Sequence, residues 1–435
     1  MADSDKRVAL DARGPGAGMR PAGDEPLLNW YLHGSLSVPR QHGAKDPHEA
    51  VRDALFDFLV PGLAAVGECT VTTDWTGTAC TYEVRLAEAT VELMVSTMLP
   101  LAAVLVTSGE KRYLSDLRGS TATDRTLREL LADHGIAVLP EEVLRARSRL
   151  VGYDIDGERR GDTYYELLFT DEYLLWDVEG FVSVSSEDED GSFVGATEAR
   201  TVLAGQGGEA DEWLLVEDGQ RHVPPRVQGA RPALPMAESG DDAVLDHFLY
   251  LALGPARPGS AEIFQRAAAR GQLDVLIPRL ERLGDVVTVP PQPGQVACTH
   301  VLRTGDETIH LAVSTVLPFC SVLVESSGSL AFSTLEDGLG THDALRDILA
   351  EIHVSPLPET RLRGRSRHYA DGGEQMRTYY ELLVGPGDLP WDRPHFTATR
   401  QETRGKQESE RHRVQAEVAR TSVRRSYRCC MPGGR

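Results

Sequence analysis

The stretch C-T-Y-E-V-R at Cys80–Arg85 returns as C-T-H-V-L-R at Cys298–Arg303, after a shift of 218 residues. The same shift places V-S-T-M-L-P, which begins at Val95, on V-S-T-V-L-P, which begins at Val313. Similarity at a fixed spacing is typical of a duplicated structural unit. The sequence therefore predicts two copies of one module.

The spacing between the copies changes at one place, between Arg149 and Thr163. After this place T-Y-Y-E-L-L from Thr163 matches the same letters from Thr378, a shift of 215 residues. The segments that differ are rich in Gly and Asp, L-V-G-Y-D-I-D-G-E-R-R-G-D in the first copy and H-Y-A-D-G-G-E-Q-M-R, three residues shorter, in the second. Because a change of length costs little in a turn between strands, the copies predict a hairpin tip here.

Hydrophobic periodicity predicts the elements of each copy. Alternating apolar and polar residues, as in Val91–Ser96, indicate a strand with one buried face. A leucine stripe at i, i+3 and i+4 indicates a helix from Thr123 to His134, which Gly135 ends. In the first copy a helix at 48–63 precedes strands at 69–73, 79–86, 90–97 and 101–107. The predicted order is α-β-β-β-β-α-β-β.

This order predicts an α+β fold in two tandem copies, each a mostly antiparallel sheet with its helices packed on one face. The copies occupy residues 27–184 and 241–399, and an acidic, proline-containing linker at 185–240 joins them. Both ends, residues 1–26 and a basic tail at 400–435, have few apolar residues, and we predict that they are disordered.

The composition excludes several classes of function. A hydrophobic content of 41% is enough for a packed core, and the net charge of −21 argues against nucleic-acid binding by the modules. It also argues against docking on an anionic membrane. With no apolar leader and few lysines, the chain is predicted to be a cytoplasmic protein from a GC-rich bacterium. The composition does not exclude contact between the basic tail and nucleic acid.

Motifs for known chemistry are missing from the sequence. It has no phosphate-binding glycine loop, no nucleophile elbow and no H-E-x-x-H. The six cysteines form no C-x-x-C pair, and no histidine recurs in both copies. His134, on the leucine stripe, is interpreted as a core or boundary histidine and not as a catalytic base, because Ile352 takes its place in the second copy. We therefore expect no cofactor and no metal, and a non-catalytic protein is favoured over an enzyme.

Arginines spaced by two recur before the hairpin of each copy. On a strand this spacing points three guanidiniums to one face, where they can grip phosphate or carboxylate groups. The alternative is an exposed face whose arginines pair with acids such as Glu166 or Glu381. The candidate partner-binding arginines are Arg145, Arg147, Arg149, Arg363, Arg365 and Arg367.

The T-Y-Y-E-L-L repeat adds four candidate residues. Interpreted as a strand, it places Tyr164 and Glu166 on one face, and Tyr379 and Glu381 on the matching face of the second copy. Such a pair could transfer a proton, or the tyrosine could be structural. The Trp-Asp pair that closes each copy is interpreted as a packing anchor.

The element order is loosely similar to that of small bacterial α+β modules that act as secretion chaperones or immunity proteins. On this basis we predict a tandem binding protein that recognises a protein partner through a charged sheet face. The alternative is an enzyme or sensor for a phosphorylated or acidic small molecule, held by the same arginines.

Overall fold

The fold is given by a computed structural model that describes part of the chain in separate ranges. These ranges are residues 25–36, 47–71, 78–119, 121–146, 148, 150–153, 159–160, 163–169, 175–177, 181–183, 214–217, 220–222, 242–253, 260–289, 291, 296–305, 307–335, 340–371, 375–385 and 389–397. Of the ends predicted to be disordered, residues 1–24 and 400–435 lie outside these ranges, whereas Pro26, the last residue of the predicted segment 1–26, begins a helix.

The first module begins with two helices, α1 (Pro26–Leu36) and α2 (Pro47–Val66). Five strands follow: β1 (Glu68–Val71), β2 (Ala79–Arg85), β3 (Thr90–Ser96), β4 (Leu101–Ser108) and β5 (Lys111–Leu114). The module ends with α3 (Ala122–Asp133), β6 (Ala137–Val138), α4 (Glu141–Leu144), β7 (Leu150–Tyr153), β8 (Arg159–Arg160), α5 (Tyr164–Leu168) and a 3-10 turn, Leu175–Asp177.

A hairpin in the linker, β9 (Leu214–Glu217) and β10 (Gln220–His222), separates the modules. The second module repeats the series: α6 (Ala243–Leu253), α7 (Ser260–Leu280), β11 (Asp285–Val289), β12 (Ala297–Thr304), β13 (Glu307–Ser314), β14 (Phe319–Ser326) and β15 (Ser329–Phe332). It closes with α8 (Gly340–Glu351), β16 (Ser355–Pro356), α9 (Glu359–Leu362), β17 (Arg365–Asp371), β18 (Gln375–Thr378), α10 (Tyr379–Leu383) and a 3-10 turn, Pro390–Asp392.

The two main sheets have the same topology. The strand orders are β1-β2-β3-β4-β5 and β11-β12-β13-β14-β15, all antiparallel, and a short strand after the crossover helix (β6 or β16) adds in parallel to β4 or β14. The predicted α+β fold with two sheet modules is therefore confirmed. The observed order adds a leading helix, a fifth antiparallel strand, the short parallel strand β6 or β16, and short helices to the predicted one. The predicted hairpin is also confirmed, since β7 pairs with β8 and β17 with β18.

Alternation along the strands gives each main sheet an inner and an open face. In the first sheet Val91, Leu93 and Val95 are buried on the inner face, which α2 covers. On the open face the chain after α5 covers the half next to β4 and β5. There the Tyr165 hydroxyl contacts the Met94 sulfur, and the Tyr165 and Trp176 rings meet edge to face at 5.6 Å. The tryptophan anchor predicted from the sequence is thus observed.

The leading helices are exchanged between the modules. Helix α1 packs against α7 of the second module, and α6 packs against α2 of the first. The Tyr31 hydroxyl donates to the Ser314 carbonyl oxygen (2.8 Å), to which Gln272 also donates (2.7 Å). Phe248 holds the place in α6 that Tyr31 holds in α1, and both rings are buried. The hydrophobic core is consequently continuous across both modules.

Candidate functional site

The predicted stripe of three arginines on one strand is only partly formed in the second module, where Arg365 and Arg367 lie two apart in β17. Arg363 is the C-cap of α9 and its counterpart Arg145 the C-cap of α4, both with helical backbone angles. These two arginines therefore do not belong to a strand and do not share its face. Arg147 and Arg149 lie outside the described residues, as does the side chain of Arg367.

Arg145 and its counterpart Arg363 stabilise their own modules. Arg145 bonds to the buried carboxylate of Glu141 at 2.9 Å, and its guanidinium lies 5.1 Å from the centre of the Trp176 ring. Arg363 repeats this with Glu359 (2.7 Å) and with the Trp391 ring (4.9 Å). These contacts join α4 and α9 to the 3-10 turns that close the modules. An anion bound by either arginine would have to displace a buried carboxylate.

The T-Y-Y-E-L-L repeat is a helix, not a strand. The Glu166 carboxylate accepts from the Thr163 backbone N–H (2.8 Å), while the Thr163 hydroxyl accepts from the Glu166 N–H (3.2 Å). Thr378 and Glu381 form the same capping box. The signal was present in the sequence, because T-x-x-E before an apolar run is a typical helix start. The two glutamates therefore cap helices and do not line a sheet face.

The predicted Tyr-Glu pairs are not formed, because both tyrosines are buried against the leading helices. The Tyr164 hydroxyl donates to the side-chain oxygen of Asn29 (3.0 Å), which Ser148 also contacts (2.7 Å). The Tyr379 hydroxyl bonds to the backbone of Asp242, and burial raises the pKa of Tyr379 well above its usual value. Each tyrosine thus ties its leading helix to the end of its own module.

Buried and half-buried ionisable groups line the joint between the modules. Arg361 holds Asp242 with its Nε at 2.7 Å, and both charges act on His134 of the other module. Burial lowers the pKa of His134 to about 4, and burial also lowers that of His353 to about 4. His134 is half-buried and packs edge to face with the Phe58 ring, which is 41% exposed, so of the predicted core or boundary positions it takes the boundary one. The joint is a packed structural element.

The half of the first sheet next to β1 and β2 remains open and is polar. Across the strands, Thr70 lies opposite Glu83, and Glu83 opposite Glu92. Two carboxylates in a directly opposed pair repel each other. Arg85 offsets part of this by bonding to Glu83 at 2.8 Å. Burial raises the pKa of Glu92, and the charge of Arg112 acts in the opposite direction.

The matching row of the second sheet has two valines and a histidine in place of the threonine and the carboxylates, and the His310 Nε2 lies 3.6 Å from a carboxylate oxygen of Glu325. Val287 lies opposite Val301, and Val301 opposite His310, at the register positions of Thr70, Glu83 and Glu92. Val287 is 54% exposed and Val289 45% exposed. We call the residues Val287, Val289, Val301 and His310 the valine surface. The sequence could not single it out, because the outward side of β11 is known only from its pairing with β12.

Other kinds of site find no support in the described part of the chain. No group of three or more His, Cys, Asp or Glu residues there could hold a metal ion, and no described helix is long and apolar enough to cross a membrane. No protein-family model matches the sequence, and no match was found among curated proteins or solved structures.

Proposed function

We propose that this is a non-catalytic binding protein that holds a protein partner against the valine surface. The observation that carries the proposal is the exposure of Val287 and Val289 beside each other on one strand. Apolar side chains scattered singly over a surface need no explanation, but a contiguous group is typical of an interaction site. The proposal keeps the predicted class of function and moves the contact from the arginines to the valine surface.

The exchanged leading helices support this function. Since they join the described residues of both modules through one core, they hold the open faces of the two sheets in a fixed relation. A rigid surface loses less entropy when it binds. We also propose that the protein acts in the cytoplasm, since Cys69, Cys80, Cys298 and Cys320 are free thiols, as is usual in a reducing compartment.

The first test is affinity purification of the full chain from its own host lysate at low salt. We expect one protein in stoichiometric amount with the wild-type chain, and its loss with Val287→Lys/Val289→Lys. Val182→Lys is the matched control, because Val182 is 44% exposed elsewhere on the molecule and should not matter.

Absence of any stoichiometric partner in repeated preparations would overturn the proposal. The arginine alternative would then be tested by thermal shift with inorganic phosphate and pyrophosphate. Stabilisation that grows with the logarithm of the anion concentration would support that alternative.

A further inference from the structure

The edge of the second sheet at β11 has unused pairing capacity. Among the described residues β11 pairs with β12 alone, so its other side presents backbone N–H and C=O groups. Proteins usually protect such an edge with charged residues or proline. β11 begins with Asp285 and is followed by Pro290 and Pro291, but between these ends its outward positions carry Val287 and Val289, where the sequence of the first module has Thr70 and Thr72.

The opposite edge of each sheet is closed by the chain itself. In the second module the Leu330 N–H donates to the His395 carbonyl (3.0 Å), and the Thr397 N–H donates to the Leu330 carbonyl (2.8 Å). In the first module the Val182 N–H donates to the Arg112 carbonyl (2.7 Å). The hairpin in the linker likewise adds β9 to β7. Adding an extended segment to a strand is thus the way this protein closes its sheets.

We infer that β11 binds an extended segment of the protein partner as an added strand. Main-chain hydrogen bonds would give affinity, and side chains at alternate positions would give specificity. The segment is basic and carries apolar residues at every second position, so that these residues lie beside Val287 and Val289 on the open face. This inference rests on the proposed function and names its recognition mode.

Charge and size select this occupant over a second copy of the chain. The net charge of −21 attracts a basic segment and repels another copy. Two copies joined through β11 would each contribute five strand residues, whereas a stable interface uses about 20–30 residues on each side. A short segment needs no such area, because strand addition can serve a weaker, transient contact.

The inference is tested by selecting peptides from a random displayed library against the immobilised full chain. The best peptide is then synthesised with its backbone nitrogens methylated at alternate positions, in two versions that block opposite edges of the strand. Binding is measured by fluorescence anisotropy. We expect one version to lose binding and the other to keep it, because an added strand uses only one of its edges.

Variants of the protein locate the contact. Val287→Thr/Val289→Thr, which copies the first module, should weaken peptide binding about tenfold, and Val182→Thr should leave it unchanged. Peptide binding should also slow amide hydrogen exchange in β11. A partner captured from lysate together with these results would support both the function and its mode.

Several results would overturn the inference and leave the proposed function standing. One is equal binding of the two methylated peptides, and another is a selection without dependence on Val287 and Val289. Slow exchange of the β11 amides in the free monomer would mean that the chain itself occupies the edge. A dimer that dissociates in Val287→Thr/Val289→Thr would assign the edge to a second copy. If the proposed function itself is wrong, the result is different from all of these, because affinity purification from the lysate then yields no stoichiometric partner.

Discussion

The open half-faces of the two sheets share one register but differ in chemistry. The row Thr70, Glu83 and Glu92 in the first module corresponds to Val287, Val301 and His310 in the second. The inner faces stay apolar in both modules because the core depends on them. Outward positions near a sheet edge carry no such constraint. After a duplication, one copy can therefore change its surface while both keep the fold.

The joint between the modules shows a second difference. Gly135 ends α3 with φ +65°, and the residue at the same place in the second module is His353, with φ +57°. A side chain at Gly135 would meet Arg361 and Phe319 across the joint. His353 in turn lies near Glu25, 4.0 Å from its carboxylate. The two sides of the joint therefore pack differently around a common backbone shape.

The largest expected effect comes from Tyr31, whose ring belongs to the first module and packs in the second. Tyr31→Ala should lower the free energy of unfolding by about 3–5 kcal/mol, as is usual for a buried aromatic residue. Tyr31→Phe, which copies Phe248, should cost only about 1 kcal/mol for the lost hydrogen bond. Urea unfolding measures both changes.

For Tyr31→Ala, the module that loses its packing is more informative than the total loss of stability. The thiols of Cys298 and Cys320 lie near Tyr31 in the second module, and both are buried. We expect Tyr31→Ala to make them react faster with a thiol reagent. Increased reactivity confined to Cys69 and Cys80 of the first module would contradict the helix exchange.

Gly135→Ala tests the joint from the other side. Gly109 has a similar φ of +60°, but a Cβ atom added there would have no neighbour within 4 Å. Gly109→Ala therefore carries the same backbone strain without a clash. Gly135→Ala adds contacts at 2.7 Å with Arg361 and 2.9 Å with Phe319. It should destabilise the protein by about 1–3 kcal/mol more than Gly109→Ala does. Equal losses in urea unfolding would show that the modules do not meet there.

The histidines of the joint predict a loss of stability in acid. Burial lowers the pKa of both His134 and His353 from 6.5 to about 4, so the folded protein keeps them neutral. Their contribution is fully present above pH 6.5 and is lost as the pH falls towards 4. Its slope is at most about 1.4 kcal/mol per pH unit for each histidine.

The variant His134→Ile/His353→Asn should flatten this part of the stability curve. Isoleucine is the residue that the second module has in place of His134, and asparagine tolerates the positive φ of His353. Urea unfolding between pH 4 and pH 7 gives the slope. An unchanged slope in the variant would contradict the assignment to these two groups.

The sequence predicted those elements whose burial has a clear period. Strands such as β3 alternate, and α3 carries a leucine stripe, so both were found close to their observed bounds. The leading helices were missed, because Leu27, Leu28, Trp30, Tyr31 and Leu32 are all buried between the modules and leave no polar face to reveal a helical period.

The candidate site was predicted less well than the fold. We interpreted the spacing by two around Arg145 and in T-Y-Y-E-L-L as the period of a strand. Arg145 is instead the C-cap of a helix, and T-Y-Y-E-L-L begins a helix with a capping box. The valine surface depends on which side of β11 faces the helices. That is a property of its pairing with β12, and the letters V-V-T-V do not contain it.

The smallest expected effect is on stability when the valine surface is changed. Val287→Thr/Val289→Thr should alter the free energy of unfolding by no more than about 0.5 kcal/mol, since both side chains are largely exposed. The reverse change, Thr70→Val in the first module, should be equally mild. A large loss on Val→Thr would mean that the valines serve the fold and not a partner.

The most direct test gives β11 and β12 the outward residues of the first sheet, with Val287→Thr, Val289→Thr and Val301→Glu in one chain. Capture of the stoichiometric partner from host lysate is measured next to the urea unfolding of the same preparation. We predict that the chain folds with nearly wild-type stability and no longer captures the partner. A folded chain that still captures the partner in full amount would contradict the assignment of the binding surface to the second sheet.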